Sequence, residues 1–349
     1  MKNFIRSMPK FSLQWHITDR CDQRCKHCYI YSRGEDELCI EMKIDNLKAI
    51  FHDFTDTCKR MHRRPSFVIT GGDPLLYPHI WEFLNLFKEN GIHFIILGNP
   101  FHLSESVAAR LYDLGCTCYQ MSLDGLRETH DSIRMPGSYE ATLSKIPLIN
   151  ASGMKSSIMA TVSKTNMGEI PALVEVLHEH HVNSFGFNRY CPAPGDEKLL
   201  PTAIEYREFL SKMWEEFRKF KNSDTHFILK DHLWKLFLYE KGLLNTDYDE
   251  NIILDGCHCG ITHMTVLPDG KVYACRRSDT LVGHVPEQSL YDIFFGQEMD
   301  AYRDYSKFEK CGKCELLRYC RGCPSVAKCM WGSFYSPDPQ CWKDVKNNE

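Results

Sequence analysis

The sequence predicts an α/β protein followed by a small cysteine-rich region, and two observations carry that expectation. Short apolar runs and amphipathic helical stretches alternate six times between about residues 11 and 190, with short connections. Such alternation requires parallel strands joined by right-handed crossovers. From about Asp255 the alternation ceases, and the chain becomes rich in cysteine, glycine and proline and short of long helices. A region of that composition is expected to be held by bound metal rather than by a large core. A doubly wound sheet and a partial or full barrel both satisfy the periodicity.

The elements follow in order. Residues 11–18 (FSLQWHIT) alternate bulky and polar side chains as a strand does. Residues 40–61 repeat apolar groups at helical spacing through Ile44, Leu47, Ile50, Phe51 and Phe54. A short apolar strand at 66–70 leads into a Gly-Gly-Asp-Pro turn, and a helix at 79–90 stops at Gly91. Strands are predicted at 93–97, 118–123, 156–162 and 185–190, with helices at 104–114, capped by Ser104, at 138–152 and at 168–181. Helical segments at 202–221 and 230–244 lead into the C-terminal region, giving expected divisions at 1–220, 221–254 and 255–349.

A formal charge of −4 over 349 residues gives no basic excess for a nucleic-acid partner. The N-terminus lacks the apolar core of a secretion signal, and no apolar run reaches about 18 residues, so a soluble, cytoplasmic protein without a membrane partner is expected. Thiols stay reduced in that compartment, so seventeen cysteines call for a use other than disulfides. Three lie within 21–28 and nine within 257–341, whereas Cys39, Cys58, Cys116, Cys118 and Cys191 are scattered and read as small core residues.

The first group, Cys21, Cys25 and Cys28, is spaced C-x3-C-x2-C, is followed directly by Tyr29, and leaves a strand end, where α/β folds bind ligands. Three thiolates so close suit an iron-sulfur cube with one iron left open; half of a zinc site is the alternative, although zinc prefers C-x2-C pairs. Gly71 and Gly72 let the backbone approach a ligand closely, ahead of Asp73 and Pro74. At the end of the fourth strand Ser122 offers a hydroxyl, and Arg134, ten residues beyond Asp124, offers a guanidinium able to clamp a carboxylate. Thr161, Asn166 and Arg189 are weaker candidates for nucleoside contacts; each could equally be a cap or a surface group. In the C-terminal region Pro268-Asp269-Gly270 reads as a hairpin turn that brings Cys257 or Cys259 toward Cys275. Cys311, Cys314, Cys320 and Cys323 follow at x2, x5 and x2 intervals, then Cys329 and Cys341. A zinc ribbon competes with further clusters for that spacing.

The triplet with its aromatic neighbour resembles the radical S-adenosylmethionine enzymes, and the C-terminal spacing resembles their SPASM extension. The resemblance implies a partial (β/α)6 barrel over about residues 10–215 with a small cluster-binding C-terminal domain. It implies that Cys21, Cys25 and Cys28 hold a four-iron four-sulfur cluster whose open iron binds S-adenosylmethionine, which an electron cleaves to methionine and a 5′-deoxyadenosyl radical. Gly71-Gly72-Asp73-Pro74 looks like the family's GGEP motif, with aspartate for glutamate, whose backbone binds the methionine amino group. Ser122, Asp124 and Arg134 match an SxDG…R arrangement that contacts the carboxylate. Leu97-Gly98-Asn99-Pro100 stands where many relatives carry Thr-Asn-Gly. By the same pattern Cys257, Cys259 or both join Cys275 and Cys323 on one auxiliary cluster, and Cys311, Cys314, Cys320 and Cys341 hold another, three clusters in all. The family's third interval is x3, so Cys329 competes with Cys323.

The activity so implied is maturation of a ribosomally made precursor peptide, with a thioether or carbon-carbon crosslink as product. Arg321-Gly322-Cys323-Pro324 and Asp338-Pro339-Gln340-Cys341-Trp342 look like the peptide maturases of this group. Formylglycine formation in a sulfatase and tetrapyrrole modification are the alternatives. The expected partners are the precursor peptide, its leader docking on the barrel itself, and an electron donor of flavodoxin or ferredoxin type.

Overall fold

A computed structural model describes residues 8–30, 40–246 and 252–344, so Cys39 lies outside the described residues. In chain order come β1 (Lys10–His16), α1 (Ile44–Arg60), β2 (Arg64–Thr70), α2 (Ile80–Glu89), β3 (Phe94–Leu97), α3 (Glu105–Asp113) and β4 (Cys116–Ser122). Next are α4 (Arg127–Ile133), α5 (Ser138–Ala151), β5 (Lys155–Val162), α6 (Ile170–Glu179), β6 (Ser184–Arg189), α7 (Ala203–Lys219), β7 (His226–Ile228) and α8 (Trp234–Glu240). The six expected strands and their helices are present with shifted ends, and Ser104 caps α3 by accepting the amide of Val107. α4 and β7, seven and three residues long, are additional; segments so short carry no readable period.

β1 to β7 pair in parallel in chain order, and the pleat sends alternate side chains to opposite faces. On the outer face Phe11 stacks on Phe54 of α1 at 5.6 Å between ring centroids, and Trp15 meets Phe83 of α2 edge-on at 5.0 Å. Phe51, Phe67 and Phe87 complete this aromatic core, each buried, and each such side chain contributes about 1.5–3 kcal/mol by leaving water. The register puts Ser12, Gln14 and His16 of β1, Gln120 and Ser122 of β4, and Thr161 of β5 on the inner face, around the hollow of a partial barrel.

The C-terminal segment joins the same sheet. β8 (His263–Val266) lies parallel along the other edge of β1, with Ser12 opposite His263 and Trp15 opposite Val266, and turns through residues 267–270 into β9 (Lys271–Tyr273) and on to β10 (Leu281–His284). Three short helices follow, α9 (Leu290–Phe294), α10 (Gln297–Asp300) and α11 (Pro324–Trp331). Phe294 packs edge-on against Phe11 at 4.7 Å, and Asp53 of α1 accepts the Leu290 amide at 2.7 Å. No described helix is long and apolar enough to cross a membrane.

A buried ion network fastens barrel to C-terminal segment. Arg189, fully buried at the end of β6, donates from Nε to Asp231 at 2.8 Å and from Nη1 and Nη2 to the two oxygens of Asp338 at 2.7 Å each, with Gln340 Oε1 2.6 Å from Nη1. Burial by itself would raise Asp231, and the Arg189 charge reverses this, holding the carboxyl below its usual range. Removing the cation would strand two carboxylates away from water. Arg189→Ala is therefore expected to cost about 3–5 kcal/mol in urea unfolding followed by tryptophan fluorescence. Lys48→Ala, which breaks an exposed pair with Glu82, should leave the midpoint in place, and equal shifts in the two variants would refute the account.

Candidate functional site

The loops leaving the C-terminal ends of β1 to β4 converge, because glycines allow them to lie flush. A Cβ added at Gly71 would sit 2.2 Å from the Thr18 carbonyl oxygen, and one at Gly72 would sit 2.3 Å from that of Arg20. With no Cβ there, the amides of Gly72 and Asp73 donate to those carbonyls at 2.8 Å. Asp73 is buried; its Oδ1 accepts the Leu75 amide at the start of a short helical turn begun by Pro74, and its Oδ2 has no partner among the described residues. Burial is the main cause that pushes this carboxyl up to about 6. An unsatisfied buried acceptor is costly, and a ligand ammonium group is the kind of partner that would satisfy it.

Cys21, Cys25 and Cys28 lie on the loop facing that turn. Asn99 donates from Nδ2 to Cys21 Sγ at 3.3 Å and to Asp22 at 3.2 Å, and Arg134 points Nη1 at Cys25 Sγ from 3.7 Å. Burial pushes the Cys21 thiol up to about 11 and raises Cys25 despite Arg134. A bound cation is what would turn such thiols into thiolates, and N–H donors aimed at sulfur are the contacts that tune an iron-sulfur cluster. The donor set fits such a cluster, and Tyr29 packs beside it against His16 at 6.0 Å.

Several expected contact residues turn out to be engaged by the protein itself. Asp124 is fully buried, accepting Arg134 Nε at 2.6 Å and the Thr161 amide at 2.8 Å, with the His27 ring 3.6 Å from Oδ2, so it positions the guanidinium. Asn166 is consumed by the carbonyls of Asp124 and Thr161 and by the Ser163 amide. Arg189, a weaker candidate for a nucleoside contact from sequence, is corrected: it is fully buried, and four of its five N–H donors go to Asp231, Asp338 and Gln340. Ser122 and Thr161 keep side chains on the inner face, as the register requires.

Arg276 was not singled out by sequence, although its place directly after Cys275 could have drawn attention. It is nine-tenths buried and stacks 4.7 Å over the Tyr29 ring, and its Nε and Nη1 have no partner among the described residues. Burial, and then the Arg276 charge, holds His16 well below the usual imidazole value, leaving it neutral. His16 Nδ1 is likewise buried without a partner.

The C-terminal sulfurs form three groups. Cys259 bridges Cys257 and Cys275, both of whose thiols are lowered chiefly by that contact, and the His232 ring bonds Cys257. Cys311, Cys320 and Cys341 are mutual charge neighbours, with Cys314 beside Cys311. Cys323 instead contacts Cys191, which in turn touches Cys329. Cys191 was read as a core residue, and nothing in its spacing signals otherwise. Among the described residues none of these cysteine sets has all its sulfurs within 4.8 Å of one another, a wider arrangement than a single ion draws together.

Comparison with known proteins places both segments. The Radical SAM superfamily pattern matches residues 15–177, and SPASM, an iron-sulfur cluster-binding domain, matches residues 257–324. An AdoMet-dependent heme synthase of Methanosarcina barkeri is 25% identical over 344 residues, spanning 94% of this chain and 95% of that protein. The mycofactocin maturase MftC of Mycobacterium ulcerans is also 25% identical, over 343 residues, 94% of this chain and 87% of that protein. Streptococcus suis SuiB bound to S-adenosylmethionine superposes with a TM-score of 0.74 at 20% identity, covering 96% of this chain and 78% of SuiB. The chain therefore belongs to the radical S-adenosylmethionine enzymes and carries a SPASM iron-sulfur cluster-binding region.

Proposed function

We propose that this enzyme oxidises a ribosomally made precursor peptide, closing a thioether or carbon-carbon crosslink. The observation that supports a peptide is the inner face of the sheet. Ser12, Gln14, Gln120, Ser157, Asn188 and Thr265 share it with Val68, Ile95, Leu97 and Met159, so donors and acceptors suited to backbone amides and carbonyls stand beside apolar groups suited to side chains.

When bound, the cluster on Cys21, Cys25 and Cys28 supplies the electron that splits S-adenosylmethionine into methionine and the radical that takes a hydrogen atom from the substrate. The chain's own part is orientation. Asp73 Oδ2 and the turn at Gly71 and Gly72 receive the amino group, and Ser122 with Arg134, steadied by Asp124, receives the carboxylate. Auxiliary clusters held by the C-terminal cysteines would accept the electron left on the substrate, and a flavodoxin- or ferredoxin-type donor would re-reduce the cluster held by Cys21, Cys25 and Cys28. Arg276, stacked on Tyr29 with nitrogens unpartnered among the described residues, anchors an acidic group of the substrate. Tetrapyrrole modification is the second reading, favoured by heme synthases among the relatives that align over 94% of this chain.

The test is anaerobic, reduced enzyme with S-adenosylmethionine and a panel of short cysteine-containing peptides. The expected result is 5′-deoxyadenosine together with a peptide lighter by two hydrogen atoms. An unchanged peptide, with carbon dioxide released from a carboxylated iron tetrapyrrole, would replace this reading by the second. Cys25→Ala should abolish 5′-deoxyadenosine formation, whereas Cys314→Ala should keep some cleavage without peptide and lose the crosslink. Arg276→Ala should raise KM for the peptide about 10- to 100-fold, the loss of one charge-assisted hydrogen bond, with Arg276→Lys recovering part of it. No change in KM would remove the anchor role.

A further inference from the structure

We infer that Cys191, a barrel residue, is an iron-sulfur ligand: with Cys323 and Cys329 it holds an auxiliary cluster across the joint between β6 and α11. The inference rests on reading the C-terminal cysteines as cluster ligands and extends that reading to a residue outside both matched segments.

Three observations carry it. Cys191 follows β6 by two residues, and its sulfur contacts those of Cys323, which caps α11, and of Cys329 within α11. The three sulfurs do not all come within 4.8 Å of one another, a spread that suits the corners of a cluster better than one ion. Leu200 and Val326 pack around them, so the pocket is dry on that side. Arg277, largely buried, donates from Nη2 to Cys323 Sγ at 2.9 Å and has Cys191, Cys323, Cys275 and Asp231 as its charge neighbours. Asp231 is already bonded to Arg189. Nη1 of Arg277 donates to the Arg189 carbonyl at 3.1 Å, so the guanidinium is held against the sulfurs as the kind of N–H donor that tunes a cluster. Adjacent thiolates repel unless a shared cation holds them, and a cluster supplies that cation.

The experiment compares iron and sulfide content and the reduced-state electron paramagnetic resonance spectrum of anaerobically reconstituted wild type, Cys191→Ala, Cys329→Ala and, as a control, Cys58→Ala. Wild type and Cys58→Ala should hold the same iron, and the other two about four irons fewer, or the same iron with one altered auxiliary signal. In wild type, Cys191 should resist iodoacetamide until a chelator strips the iron, a readout that needs no substitution. Wild-type iron and an unchanged spectrum in Cys191→Ala, or equal labelling of Cys191 with and without iron, would overturn the assignment. A wild type holding about four irons would instead defeat the cluster reading beneath it, before any variant is made.

Discussion

β1 is hydrogen-bonded along both edges, and the placement of the sulfurs depends on that double pairing. One edge carries β2, which delivers Gly71 to Pro74 to the loop of Cys21, Cys25 and Cys28. The other edge carries β8, whose hairpin partner β9 runs directly into Cys275, Arg276 and Arg277. A single seven-residue strand therefore sets the distance between the first cluster site and the C-terminal cysteines. Arg276 exploits it by reaching Tyr29 beside Cys28, and Arg277 by reaching Cys323.

Charge is buried in this protein in two different ways. Arg189 with Asp231 and Asp338, and Arg134 with Asp124, are compensated sets in which each guanidinium meets carboxylates at 2.6–2.8 Å. Such sets hold shape, because separating either partner would strand a charge away from water. Arg276 and Arg277 have no bonded carboxylate among the described residues; one stacks on a ring and the other faces sulfur. The distinction separates groups that are complete within the chain from groups that a cofactor or substrate would complete.

Much of the architecture was legible because it depends on local pattern. The alternation in residues 11–18 marked β1 and Ser104 announced the start of α3; the two glycines after β2 suggested close approach to a ligand, and the backbone they meet is the chain's own, at Thr18 and Arg20. The site was legible where chemistry is written in short spacing, as in C-x3-C-x2-C. It was misread at Arg189 and incomplete at Asp124 and Asn166, since a polar side chain at a strand end looks the same in sequence whether it meets a ligand or a distant part of its own chain. Arg189 finds Asp338 across 149 residues, a pairing that no local window contains.

Composition and spacing alone determined that this chain alternates strand and helix, gathers three thiols near its beginning, and ends in a cysteine-rich tail. Those properties follow from side-chain period and covalent proximity, which act over a few residues. Only the tertiary structure decided that the tail's hairpin extends the barrel sheet, that Asp124 serves Arg134, and that Cys191 lies among the sulfurs of α11. Each of these is a contact between segments far apart in the chain, fixed by which edges and faces remain to be satisfied once the sheet has formed.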